Sequence, residues 1–560
     1  MKKIVLMIAA AGMMTGCIKE FTPQTSYASV DQVNDAPGVF ENYVNAISNA
    51  LTMDVFDAES RAYDFGYPAL MIERDVMGQD IAFRDVNDTN WFTSWYTADA
   101  YLGPLYIYSQ IPWSYYYRYI KNCNVAISAA GENPSEEKHA GAGIAYAMRA
   151  LFYMELAQIY APKTYTLDSQ SPTVPILTES TTVEQARNNP RATNEEMFKF
   201  ILEDLNKAET YLADYTRKDK TTPDLSVVYG LKARAYLLMG EWANAKEYAK
   251  KAQVGYSMLT EAQYLDRDNG FNTPNDAWML AVTYKPTDNC IIVNDADTSW
   301  GSWMIIEINP NTSGCGYASN YGVPCNIDRH LYETINDSDW RKKCFVDFAI
   351  DDMEDEEALE ALRAYTDHPD WLLYATAGSY VEIVDTEQAV GGLSLKFRPG
   401  NGDAGRNNQY IGFCVSVPMM RVEEMYLIEA EAAGMLNEAE GISLLTAFAK
   451  TRDAEYSYPT YLEKYHNNET STFQNECWWQ RRIELWGEGM ATFDIKRLNK
   501  GIFRSYPGTN HGDQYQWNTS SAPGWMNYCI VQTETNYNTA CTNNPTPIPP
   551  VGNSDQAETW

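Results

Sequence analysis

Basic residues are scarce in this chain of 560 residues. It carries 43 lysines and arginines against 75 aspartates and glutamates, so its formal net charge at pH 7 is −32. A field of that sign repels the phosphates of nucleic acids and of anionic lipid headgroups. The sequence therefore predicts neither a nucleic-acid partner nor attachment to a membrane surface through charge.

Metal-binding and catalytic motifs are also missing. Five histidines are scattered along the chain, and no two of the ten cysteines form a C-x-x-C pair, so we predict no metal site and no cofactor. There is no G-x-S-x-G, H-E-x-x-H or G-x-x-x-x-G-K-[ST] motif, and the acidic run 351–357 lacks the glycine and alternation of an EF-hand loop. These absences favour a protein that is not an enzyme. Paired carboxylates for glycoside hydrolysis stay open, because their separation is a three-dimensional property.

No segment after the N-terminus is long and apolar enough to span a bilayer. The first 17 residues, MKKIVLMIAAAGMMTGC, have the organisation of an export signal, with two lysines ahead of a short apolar segment. Residues 14–17, Met-Thr-Gly-Cys, resemble a bacterial lipobox. We predict that residues 1–16 are removed, that Cys17 is lipidated, and that residues 17–35 form a tether to the membrane. The alternative is an ordinary secreted protein with a chance cysteine.

The pairing of the other cysteines is open from the sequence. Cys315 with Cys325, and Cys529 with Cys541, are spaced to close short loops in an oxidising compartment. Buried free thiols explain the same spacings equally well.

Helical periodicity dominates what is present. In residues 226–253, two helical patterns meet at Gly240, with small residues where two helices must approach closely. This is the pattern of a tetratricopeptide-type hairpin, which needs stacked neighbours to bury its apolar face. Gly434 and Ala439 repeat the spacing of Gly240 and Ala245. We therefore predict a mainly α fold with a tetratricopeptide-like scaffold.

The helical pattern is interrupted once, and this sets the predicted domains. Residues 36–255 form a helical scaffold that includes a capping box at residues 193–196, and residues 256–418 are rich in Asn, Asp, Gly, Pro, Trp and Tyr. Helical patterns return over 420–450 and 476–498, giving a second scaffold region at 419–500 and an irregular segment at 501–560. Because recognition residues concentrate on loops held by a rigid scaffold, residues 256–418 are the predicted ligand-binding subdomain.

Tryptophan pairs in irregular sequence are the candidate binding residues. A sugar has apolar C–H faces and a rim of hydroxyls, so its site needs an aromatic platform beside amides or carboxylates. Two segments offer both. The candidate residues are Trp91 and Trp95 with Asn90, and Trp300 and Trp303 with Asp297. Structural burial is the competing explanation for all four rings, and it is favoured for Trp91 and Trp95, which fit one face of a short helix. The aromatic row at residues 113–119 and the tryptophans at 478, 479 and 486 are predicted to be core.

Eight segments, in order along nearly the whole chain, form a recognisable set of motifs. They are residues 117–124 (YRYIKNCN), 149–160 (RALFYMELAQIY), 174–176 (VPI), 190–193 (PRAT), 233–252, 396–399 (KFRP), 421–431 (RVEEMYLIEAE) and 482–497, which begins RIELWGEG and ends DIKR. Together they resemble the motifs of the SusD/RagB family of surface lipoproteins. The sequence departs from the family pattern at Gln480 and at residues 490–492. We interpret the charged residues of these motifs as scaffold ion pairs.

The resemblance implies a function as well as a fold. It implies a helical protein at the outer-membrane surface that captures a ligand for a TonB-dependent transporter, with no catalytic residues. We therefore expect a cell-surface lipoprotein that binds an oligosaccharide or polysaccharide and passes it to that transporter. The alternatives are a peptide ligand in the same type of transport, a surface glycosidase, and a purely structural plug for the transporter.

Overall fold

The computed structural model describes residues 36–56, 60–84, 90–312, 314–378, 389–460 and 470–548, together with residues 550 and 552. Cys17, the predicted signal and the predicted tether lie outside these residues. In the described part, 23 α-helices surround two small two-stranded sheets. The prediction of a mainly α fold is confirmed.

The first half of the chain contains the long helices. Helices α4 (Ile107–Ala130) and α5 (Glu136–Tyr160) are 24 and 25 residues long, and α7 (Asn194–Tyr211) packs along α5. The capping box predicted at Thr193 is confirmed, since its side chain accepts from the amide of Glu196. The elements in order are α1 (Val39–Asn49), α2 (Tyr67–Val76), β1 (Ile81–Ala82), α3 (Thr93–Thr97), α4 (Ile107–Ala130), α5 (Glu136–Tyr160), α6 (Val183–Ala186), α7 (Asn194–Tyr211), α8 (Leu225–Met239) and α9 (Trp242–Ala252).

Between residues 256 and 418 the helices are short, with at most nine residues each in the part of this region that the structure describes. The order is α10 (Glu261–Tyr264), β2 (Trp278–Thr283), α11 (Asn289–Ile292), α12 (Trp300–Met304), α13 (Tyr317–Tyr321), β3 (Asn326–Ile327), α14 (Arg329–Thr334), α15 (Asp355–Leu362), α16 (Pro369–Ala377), α17 (Gly402–Arg406) and α18 (Gln409–Gly412). The domain boundaries drawn from the sequence stay predictions.

The remaining elements return to the scaffold. They are β4 (Ser416–Arg421), α19 (Val422–Leu436), α20 (Glu438–Ala449), α21 (Thr472–Glu484), α22 (Ala491–Arg497) and α23 (Gln532–Thr535). The expectation that a helix begins at residue 420 is wrong, because Met420 and Arg421 end strand β4. This strand pairs antiparallel with β2, and Arg421 lies opposite Trp278.

The predicted hairpin is confirmed as α8 and α9. Gly240 ends α8 in the left-handed conformation (φ 72°), which glycine adopts without a steric penalty. Ala245, Ala249 and Ala252 are fully buried, and α9 packs on α19 of the second hairpin. The two hairpins therefore stack and bury the apolar faces that neither could cover alone.

A buried ion network joins the scaffold to the loop-rich region. Glu484 on α21 accepts from Arg341, Arg421 and Arg452, each at 3.1 Å. Lys396 donates to Glu488 at 2.6 Å. All of these side chains are buried. The interpretation of the charged motif residues as scaffold ion pairs is therefore confirmed for Arg421, Glu484, Lys396 and Glu488.

The beginning and end of the described chain are also locked together. Arg482 bonds the carboxylate of Asp80 at 2.5 Å, and the amide of Gly489 donates to Asp75 at 2.7 Å. Arg504 donates to the carbonyl of Val76 at 2.8 Å.

All nine described cysteines are free thiols, so the alternative of unpaired cysteines holds for both candidate pairs. Among the described helices, none combines the length and apolarity required to cross a bilayer.

Candidate functional site

Trp91 stands at the entrance to helix α3. Asn90 shapes this turn, because its side-chain oxygen accepts from the amide of Phe92 at 3.0 Å and its carbonyl accepts from Thr93. Asn90 is buried, and its side-chain nitrogen has no hydrogen-bond partner. The Trp91 ring is half-buried, and its indole N–H donates to the hydroxyl of Tyr317.

Helix α13 places two tyrosines beside Trp91. Tyr317 lies between Trp303 and Tyr321, with ring centroids 4.8 Å and 4.4 Å away. Tyr321 is half-buried, and Tyr317 is mostly covered. We call Trp91, Tyr317 and Tyr321 the aromatic ledge. Tyr317 contacts one tryptophan from each candidate segment, Trp91 and Trp303.

Three of the four candidate tryptophans are enclosed in the core. Trp95, Trp300 and Trp303 each have 0% of their surface exposed. Phe92 and Trp303 pack edge to face at 4.9 Å, and Trp300 packs on Phe397 at 5.0 Å. A ring enclosed in this way has no face for a sugar, so Trp95, Trp300 and Trp303 are corrected from binding candidates to core residues. At Trp95 this is the burial that the sequence favoured. Trp300 and Trp303 are buried because helix α12, although short and in irregular sequence, is enclosed by the core.

A left-handed turn precedes Asp297. Asn294, Asp295 and Ala296 have φ values of 46°, 55° and 61°. Left-handed backbone costs about 1–2 kcal/mol per non-glycine residue and clusters at functional sites. The turn projects Asp295 to the surface, where its carboxylate accepts from the hydroxyl of Tyr410 at 2.6 Å.

Asp297 is the least satisfied acid beside the ledge. Its Oδ1 atom is buried without a hydrogen-bond partner. Burial, and secondarily the charge of Asp295, raise the pKa of Asp297 to about 7. Its carboxylate also contributes to the raised pKa of Tyr317, after burial and the nearby Tyr321. Because Asp297 as a whole is only half-buried, its carboxylate is a candidate acceptor for the hydroxyl groups of a ligand.

Sequence reasoning missed both tyrosines of the ledge. The sequence feature that could have identified them is the segment Gly316-Tyr-Ala-Ser-Asn-Tyr-Gly322. In this segment, two tyrosines four residues apart are flanked by glycines. Within the described residues, no group of three histidines, cysteines or acids is arranged to hold a metal ion.

Two family models match the chain. Residues 56–237 match a SusD-like model described as "starch-binding associating with outer membrane", and residues 292–550 match the SusD family model. Together these ranges cover most of the sequence. The chain belongs to the SusD/RagB family. No curated protein matches it.

Solved structures share the SusD/RagB fold over nearly the whole chain. A SusD-like carbohydrate-binding protein from Bacteroides vulgatus is 23% identical, with a TM-score of 0.66 over 90% of this chain and 97% of that chain. A SusD superfamily protein from Bacteroides thetaiotaomicron is 18% identical, with a TM-score of 0.63 over 90% and 99%. The surface glycan-binding protein A of the same organism, solved with laminarihexaose, is 16% identical, with a TM-score of 0.58 over 90% and 98%.

Proposed function

We propose that this protein is a cell-surface lipoprotein that binds a neutral oligosaccharide or polysaccharide and delivers it to a TonB-dependent outer-membrane transporter. The observation that carries the proposal is the aromatic ledge, together with the half-buried carboxylate of Asp297, which acts electrostatically on Tyr317. Aromatic faces cover the C–H faces of a sugar, and the carboxylate receives its hydroxyls. The laminarihexaose bound by one structural neighbour supports this class of ligand.

Each nominated residue has a part in this proposal. Trp91 and Tyr321 offer stacking faces, and Asp297 accepts a hydroxyl. Asn90 fixes the turn that presents Trp91. Trp303 holds Tyr317 in place by stacking, while Trp95 and Trp300 belong to the core.

The strong negative charge of the chain favours uncharged ligands. A site with one or two stacking rings is expected to bind in the micromolar to millimolar range, or about −4 to −8 kcal/mol. Weak binding suits transfer, because the ligand must leave for the transporter.

Isothermal titration of the purified protein against a panel of neutral glycans, including laminarin and starch, and against a panel of peptides tests the proposal. We expect heat with at least one glycan and roughly ten-fold weaker binding for Trp91→Ala. Tyr537→Ala, at an exposed tyrosine outside the ledge, is the matched control and should bind as the wild type does. Heat with peptides alone would show that the ligand is a peptide and not a glycan. If neither class of ligand gives heat, the alternative of a purely structural plug for the transporter is favoured.

The raised pKa of Asp297 beside the acidic Asp295 favours a glycosidase as the second candidate, because such enzymes pair a protonated acid with an ionised one. Incubation with the bound glycan distinguishes the two functions. Release of new reducing ends, abolished by Asp297→Asn, would establish hydrolysis, and unchanged glycan would support binding alone.

Anchoring and partnership are part of the same proposal. Incorporation of labelled palmitate, lost in Cys17→Ala, tests the lipid anchor. Co-purification of a large outer-membrane protein from detergent extracts of the native cell tests the transporter partnership. A soluble, unlabelled product would remove the anchor from the proposal.

A further inference from the structure

Large apolar side chains are exposed in the segment between helices α3 and α4. Tyr101, Leu105 and Tyr106 have 53%, 68% and 42% of their surface exposed. They lie within six consecutive residues between helices α3 and α4. We call Tyr101 and Tyr106 the flanking tyrosines. Their rings are 5.0 Å apart and nearly perpendicular.

A continuous row of rings connects the flanking tyrosines to the ledge. Starting from Trp91, the centroid of Tyr63 is 5.6 Å away, that of Tyr108 is 5.2 Å further, and that of Tyr101 is another 6.2 Å along. Tyr63 is buried and Tyr108 is half-buried. The row therefore offers stacking faces at its two ends, with two rings between them.

The segment that carries the flanking tyrosines is fixed at both ends. Asp99 accepts from the amide of Tyr101 at 2.8 Å, and Ser109 donates to the carbonyl of Leu102 at 2.5 Å. The carbonyl of Pro104 accepts from Gln532 at 3.0 Å. The backbone that carries the exposed rings is therefore held in position before a ligand binds. This lowers the conformational entropy that is lost on binding.

We propose that the flanking tyrosines form a second stacking platform, so that the site takes an extended glycan that spans from Trp91 to Tyr101 and Tyr106. This rests on the proposed function and specifies its ligand as a chain of several sugar units. A mono- or disaccharide on Trp91 does not extend past the two intervening rings. A longer chain contacts both platforms, and its affinity contains both contributions.

Titration with a short and a long oligosaccharide tests the proposal. The probes are laminaribiose and laminarihexaose, or maltose and maltohexaose if the panel selects starch. The double variant Tyr101→Ala/Tyr106→Ala should bind the six-unit chain about ten-fold more weakly, the size typical of removing an aromatic anchor, while its affinity for the two-unit sugar stays unchanged. Trp91→Ala should weaken binding of both lengths.

The matched control is Tyr101→Phe/Tyr106→Phe, which keeps both rings and should bind both lengths as the wild type does. Melting temperatures of all variants check that the exposed substitutions leave the fold intact. Unchanged affinity of the alanine variant for the six-unit chain, or an equal loss for both lengths, would overturn the second platform while leaving the glycan-binding function in place. Failure of the wild type to bind any glycan would instead remove both proposals.

Discussion

At the scale of single residues, the buried carboxylate of Glu484 is held in its ionised form by three neighbouring arginines. Burial by itself would raise the pKa of this carboxyl, but Arg452, Arg421 and Arg341 hold it below its usual range. Its contribution to stability is therefore present above the unfolded pKa, near 4.3, and is lost as the pH falls below that value. The ion network is expected to be intact at neutral pH and to weaken in acid.

Replacing Glu484 by glutamine tests this contribution. The substitution leaves buried guanidinium groups short of one counter-charge, which typically costs about 3–5 kcal/mol. Denaturant unfolding should show this loss in the free energy of unfolding. Glu247→Gln, in the exposed pair with Lys251, is the control and should change it by about 0.5 kcal/mol or less. A loss below about 1 kcal/mol in Glu484→Gln would contradict the assigned role.

Asp297 predicts a pH dependence of ligand binding. Because burial raises the pKa of Asp297 to about 7, the carboxyl is mostly neutral at pH 6 and mostly ionised at pH 8. An ionised carboxylate accepts stronger hydrogen bonds from sugar hydroxyls than a neutral acid does. Affinity should therefore rise about five-fold from pH 6 to pH 8, the factor for about 1 kcal/mol.

Titration calorimetry at the two pH values measures this change, and Asp297→Asn is the control that cannot ionise. Its affinity should be the same at both pH values. A pH dependence that persists in this variant would assign the titration to another group.

At the scale of elements, the second hairpin shows how closely helices approach in this scaffold. A Cβ atom on Gly434 of α19 would lie 1.9 Å from the ring of Phe473, and one on Gly441 of α20 would lie 2.3 Å from the Cα atom of Gly434. Real Cβ atoms do not approach other atoms so closely. The crossing of α19 and α20 therefore depends on glycine at both positions.

Gly434→Ala is expected to destabilise the fold by about 1–3 kcal/mol, the usual cost of overpacking a core. Thermal and denaturant unfolding measure the loss. Gly524→Ala is the matched control, because a Cβ atom there meets no heavy atom within 4 Å. Equal stability of the two variants would show that the helices can shift apart without cost.

The elements that could be predicted from the sequence are those whose own residues determine them. The hairpin at Gly240 and the capping box at Thr193 depend on local periodicity and local hydrogen bonds, and both are observed. The site depends on tertiary neighbours. Trp300 and Trp303 lie in an irregular segment like a surface loop, yet the packing of Phe413 and Phe397 around helix α12 buries them. Tyr317 became a candidate only when folding placed it beside Trp91, 226 residues earlier in the chain.

At the scale of the whole molecule, contacts between distant parts of the chain link the loop-rich region to both parts of the scaffold. Arg341, from the loop-rich region, shares Glu484 with Arg452, and Arg482 reaches back to Asp80. Glu484 and Asp80 are therefore buried charges with partners from another region of the chain. Unfolding of one region should leave such charges unpaired and destabilise the rest.

Differential scanning calorimetry of the purified protein is expected to show one unfolding transition, with equal calorimetric and van't Hoff enthalpies. Two separated transitions would show that the loop-rich region unfolds independently of the helices. The Arg482→Met variant should lower the temperature of the single transition without splitting it.

The bond between Asp80 and Arg482 joins residues 402 positions apart. When the ribosome has synthesised the first half of the protein, the arginine that neutralises this aspartate does not yet exist. The same holds for Gly489, whose amide donates to the carboxylate of Asp75. The early segments therefore cannot complete these buried contacts until the late segments are present. Contacts between residues far apart in sequence slow folding. Folding of the nascent chain is thus expected to be completed only after residues 482–489 have been synthesised.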